Sequence, residues 1–96
     1  MSPINKKKLN LLRKRLDNLD NDFLKLIKKR SNLVENVLKL KKYRNEIVDE
    51  KRINSILKKI KIKSLQRKID PKITKRIWHN MIWSYIDYEK RNFNKK

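Results

Sequence analysis

Apolar residues fall at Leu9, Leu12, Leu16, Leu19, Phe23, Leu26, Leu33, Val37 and Leu40. Most steps are of three or four, the seam of helices packed side by side. Ser2 followed by Pro3 supplies an N-cap hydroxyl and a first-turn proline, and no Pro or Gly interrupts the pattern before Tyr43. The pattern predicts one helix over about 4–43. Some 38 helical residues would be about 57 Å long, more than a compact chain of this size can cover. Such a helix calls for a partner chain along much of its length.

A second helix is predicted over 49–63, with Asp49 as its cap and Ile53, Ile56, Leu57 and Ile60 on one face. The polar stretch Lys61 to Ile69 ends in Asp70-Pro71, again a cap followed by a first-turn proline. The third helix, over 71–92, carries Ile73, Ile77, Met81, Ile82, Tyr85 and Tyr88 and runs into a lysine-rich tail expected to fray. The expected architecture is all-α: a single domain over 1–96, a three-helix protomer in an intertwined homodimer. Small domains bury little surface alone, which favours that assembly.

Composition narrows the chemistry. The 96 residues hold no cysteine and one histidine, His79, so neither a disulfide framework nor a thiolate metal site is available, and no cofactor is expected. There is no apolar run of about 18 residues to span a membrane. The first dozen residues lack the apolar core of a secretory signal, so a cytoplasmic location is expected. A net charge of +19 ordinarily points to nucleic acid or another anion. With no Gly or Ala and abundant Lys, Asn and Ile, however, the bias is what an AT-rich genome imposes on any protein. An anionic small molecule suits the sign of the charge equally well.

The informative residues break the binary pattern. Continuing the seam from Leu26 gives Arg30, and a guanidinium in a dry seam must be paired or must bind an anion. Its plain structural reading is a buried ion pair or a side chain reaching the edge. Lys41 lies eleven residues on, about three turns, and so on nearly the same face. Arg13, one residue past Leu12, would approach the partner's Arg30 if two long helices paired antiparallel. Taken singly, Lys41 and Arg13 read as solvated surface charges. Glu89 shares a face with Trp78, Ile82, Tyr85 and Ile86, so it is an ion-pair partner or a functional group. Asp49 and Arg52 open the second helix, where Asp49 can simply be the cap. Trp78 and Trp83 point about 140° apart and read as core or rim, and His79 as incidental.

The run LLRKRLDNLDNDFLKLIKKRSNLVENVLKLK resembles the first helix of the all-helical chorismate mutases. That family has an arginine after a leucine pair, then an aliphatic-Asp-x-Leu-Asp, then an arginine ten residues later and a lysine eleven beyond. These fall on Arg13, Leu16 to Asp20, Arg30 and Lys41. VDEKRINSILKKI resembles the opening of the second helix, with Asp49 and Arg52 on the family's aspartate and arginine, and the third helix aligns Glu89 with the ligand of the ether oxygen. The resemblance covers about Leu9 to Lys90. It is carried by the ordered set rather than by any one motif.

The resemblance implies an intertwined homodimer in which Arg13 serves the other chain's site. It also implies rearrangement of chorismate to prephenate in aromatic amino-acid biosynthesis, a pericyclic isomerisation that needs no cofactor. Arg13, Arg30 and Arg52 would clamp the two carboxylates, while Lys41 and Glu89 would flank the ether oxygen where negative charge builds. Three positions depart from the family. Ile53 replaces a glutamate that holds the substrate hydroxyl, so Glu50 or the backbone near Asp49 would have to substitute. Tyr85 stands where bacterial members often have serine. Glu89 replaces the frequent glutamine, as in fungal relatives, and helps only while it carries a proton. Rival readings are an isochorismate-pyruvate lyase or aminodeoxychorismate mutase on the same fold, a basic nucleic-acid-binding module, and a mutase fold kept as a regulatory subunit.

Overall fold

The computed structural model describes residues 1–94 and is all-helical over them. Helix α1 runs Pro3–Leu40, a short 3-10 turn spans Arg44–Glu46, and α2 (Glu50–Gln66) and α3 (Pro71–Asn92) follow. Among the described residues there is no strand, and no helix is long and apolar enough to cross a membrane. Lys95 and Lys96, the end of the tail expected to fray, lie outside the described residues.

Capping explains where the helices start. Ser2 Oγ accepts the Asn5 amide at 3.1 Å. Asp49 Oδ1 accepts the Arg52 amide at 2.9 Å, and Asp70 Oδ1 accepts the Lys72 amide at 2.9 Å ahead of α3. Each carboxylate satisfies an amide that the first turn leaves without a helical partner.

The ends differ from expectation at two places. α1 stops at Leu40 rather than near 43. The Lys41 amide falls back to Leu38 O in a tighter i−3 bond, and the Lys42 amide goes to Glu46 Oε2 at 3.4 Å instead of continuing the ladder. α2 runs three residues past 63, because Lys61 to Gln66 contains only residues a helix tolerates. It ends in a double-bonded reversal: the Lys68 amide donates to Leu65 O and the Ile69 amide to Ser64 O. Lys68 takes the left-handed conformation there, with φ of 57°, in a chain that has no glycine to offer.

The chain divides into two units, Met1–Leu33 and the residues from Val34 onward, with α1 belonging to both. In the first unit the seam is uncovered: Leu12, Leu16, Leu19, Phe23 and Leu26 are all more than half exposed. The second unit has its own core, formed by buried Ile47, Ile82 and Ile86 with Ile53, Ile56, Leu57 and Trp78 packed against them. α2 and α3 are further joined by a buried hydroxyl pair. Ser64 Oγ donates to Ile60 O at 2.6 Å, leaving Thr74 Oγ1 to donate to Ser64 Oγ at 2.7 Å.

Candidate active site

Two residues from opposite ends of the second unit meet at its centre. Lys41 follows the last turn of α1, and Glu89 lies one turn before the end of α3, on the buried face with Ile82 and Ile86. Lys41 Nζ donates to Glu89 Oε1 at 2.9 Å, with side chains 17% and 7% exposed. That is the length of a charge-assisted hydrogen bond. Two ions taken so far out of water are costly unless they serve each other or a ligand.

The segment between α1 and α2 is fixed from two sides. Glu46 holds the Lys42 amide from within the turn, and Arg44 Nη2 donates to Lys90 O at 3.1 Å, the carbonyl directly after Glu89. Neither tie was anticipated from the sequence. The available signal was one acid, Glu46, four residues after Lys42 in a basic connection. The other ion pair, Arg91 with Asp87 at 3.0 Å, is an exposed i,i+4 pair and carries little energy.

The remaining sequence candidates are distributed as follows. Tyr85 is half-buried, one helical turn before Glu89. Asp49 and Arg52 are both exposed, and what joins them is the cap bond to the Arg52 amide, the plainer of the two readings for Asp49. Ile53 is half-buried and packs against the Ile47, Ile82 and Ile86 core, an aliphatic anchor for α2. Arg13 and Arg30 belong to the first unit, Arg13 exposed and Arg30 half-buried. Among the described residues, no three His, Cys, Asp or Glu side chains converge on a point that could hold a metal ion. The largest concavity, about 500 Å³, lies between α2 and α3 and does not include the Lys41–Glu89 pair.

An arrangement of one ammonium on one nearly buried carboxyl offers N–H donors and, when protonated, an O–H donor to a single point. It can stabilise an oxygen that gains negative charge without supplying a nucleophile.

Comparison with protein-family models matches residues 12–90 to chorismate mutase type II. No curated protein and no solved structure matches the chain. The matched residues span most of the chain and contain both members of the buried pair, and the chain belongs to the chorismate mutase type II family.

Proposed function

We propose that the protein rearranges chorismate to prephenate, as an isomerase of aromatic amino-acid biosynthesis. The observation that carries this reading is the Lys41–Glu89 pair, set at 2.9 Å in the interior of a chain whose family acts on this dicarboxylate. The enolpyruvyl carbon–oxygen bond breaks while a carbon–carbon bond forms within the same molecule, so no proton, electron or group leaves. Lys41 donates to the ether oxygen as its charge develops. Glu89 keeps one oxygen on Lys41 and presents a proton from the other. Arg30 and Arg52 hold the two carboxylates in the compact conformer, with Arg13 from a second chain, while Tyr85 borders the pocket.

The homodimer needed for that donation is supported by the uncovered seam. An exposed row of leucines along eleven turns of helix has no plain role in a solitary chain. Incubating the purified protein with chorismate at pH 5 and pH 8, with products read by NMR, tests the proposal. Prephenate at either pH, formed faster at pH 5, supports it, and a folded dimer that leaves chorismate untouched overturns it.

A second reading is favoured by Ile53, which occupies a position facing the core where a hydrogen-bonding acid would hold the substrate hydroxyl. On this reading the substrate is isochorismate, which has its hydroxyl elsewhere on the ring and eliminates pyruvate. Isochorismate in a parallel NMR tube separates the two.

A further inference from the structure

The charges of this chain are unevenly placed. From Lys51 to Ile69 there is no Asp or Glu, while Lys51, Arg52, Lys58, Lys59, Lys61, Lys63, Arg67 and Lys68 are all basic. The groove of about 500 Å³ between α2 and α3 lies against this stretch. Its floor is apolar, formed by Leu57, Ile60 and Pro71. Its rim is cationic, with Lys58 and Lys61 from α2 facing Lys72 and Lys75 from α3.

The opposite pattern occurs on α1. Residues 16–24 contain Asp17, Asp20 and Asp22 and no Lys or Arg, although the whole chain has 29 basic residues. Leu16, Leu19 and Phe23 within this stretch are 58%, 59% and 53% exposed. At 100° per residue, Asp20 and Asp22 lie about 80° to either side of the line through Leu19 and Phe23, and Asp17 lies about 140° away. The exposed ridge is therefore apolar along its crest and acidic on both flanks.

We infer that the α2–α3 groove is the seat of the α1 ridge of a second copy of this chain, with Asp20 and Asp22 of that copy set between the rim lysines. A groove with an apolar floor needs an occupant with an apolar crest, which a phosphate backbone does not offer. Four rim lysines exclude another basic surface and accept an acidic one, as electrostatic complementarity requires. The ridge has both properties and is present wherever the groove is. In a two-fold pair each chain gives one ridge and one groove, so the contact is made twice and closes. The inference rests on the homodimer proposed above and assigns its contact surfaces and its sensitivity to salt.

A charge exchange tests it. Asp20→Lys/Asp22→Lys reverses the ridge and Lys58→Glu/Lys72→Glu reverses the groove. Each variant alone sets like charges together, whereas in an equimolar mixture both contacts are attractive again. Sedimentation velocity over a concentration series, with helicity checked by circular dichroism, is the readout. Each variant alone is expected to dimerise at least about tenfold more weakly than the parent, and the mixture within about threefold of it. The single change Asp17→Lys, on the far side of α1, is expected to move the parent's dimerisation by less than about twofold. Parent dimers should also weaken as salt is raised. A reversed variant that dimerises like the parent, or a mixture that fails to recover, overturns the inference. So does a groove variant that dimerises normally but no longer retains a single-stranded RNA oligonucleotide, which would make the groove an RNA surface. A parent that stays monomeric throughout removes the homodimer reading itself.

Discussion

Replacing Lys41 by Met removes the ammonium from Glu89 and leaves a carboxyl whose side chain is only 7% exposed without its ion partner. Breaking a buried pair from one side costs about 3–5 kcal/mol, and the lower figure applies because Lys41 retains 17% exposure. Glu89→Leu is milder, about 1–2 kcal/mol, since the stranded lysine can extend its stem toward water. The double variant Lys41→Met/Glu89→Leu replaces the ions with apolar volume on a face already containing Ile82 and Ile86. It should fall within about 1 kcal/mol of the parent, giving a coupling energy of about 3 kcal/mol. Urea unfolding at pH 7 and fixed protomer concentration reads this directly. With a slope of about 1.2 kcal/mol per molar, Lys41→Met moves the midpoint by about 2.5 M and the double variant largely restores it. Activity behaves differently. Losing a donor to the developing oxyanion costs about 10²–10³ in rate, and restoring stability does not return it. A coupling below about 1 kcal/mol would show that the pair is not closed in solution, and a double variant that still turns over chorismate would refute the role of Lys41.

Glu89→Gln keeps an acceptor for Lys41 and donates an N–H at every pH. The parent should therefore slow as pH rises from 5 to 8 while the variant stays flat, and identical profiles would take Glu89 away from the ether oxygen. Lys68→Gly relieves a left-handed backbone at an exposed position and should stabilise the protein by about 1 kcal/mol, whereas Lys68→Val should do the reverse; both are read from urea midpoints. Ser64→Ala leaves the buried Thr74 hydroxyl without its acceptor and should cost about 1–2 kcal/mol, with Ser64→Ala/Thr74→Val recovering much of the loss. A double variant no more stable than the single would mean water satisfies Thr74.

The caps Ser2, Asp49 and Asp70 and the helix starts were legible because each is a local rule acting within four residues. Glu89 stood out for a related reason: an acid on an apolar face breaks a pattern that helical spacing makes visible. What the sequence hid is whatever depends on two distant segments meeting. Ser64 and Thr74 are unremarkable polar residues until α2 and α3 are side by side. The tie from Arg44 to Lys90 O uses a backbone acceptor, which has no signature in the side chains at all. Ile53 was visible as a departure from the family, but only packing shows that it anchors α2 in the core. The early end of α1 depended on Glu46 competing for the Lys42 amide, a contest that helix propensity does not record.

The separation in sequence of the contacts in the second unit also orders its folding. Ser64 and Thr74 close a loop of ten residues, whereas Lys41 and Glu89 close one of forty-eight. The longer closure costs about 1.4 kcal/mol more chain entropy, so it is favoured only once α2 and α3 already hold each other. The helical hairpin thus acts as the nucleus, and the ion pair joins after the rate-limiting barrier. Substitutions at Ser64 then slow refolding, while those at Lys41 mainly hasten unfolding. A freshly collapsed chain would have its helices before it has its chemistry.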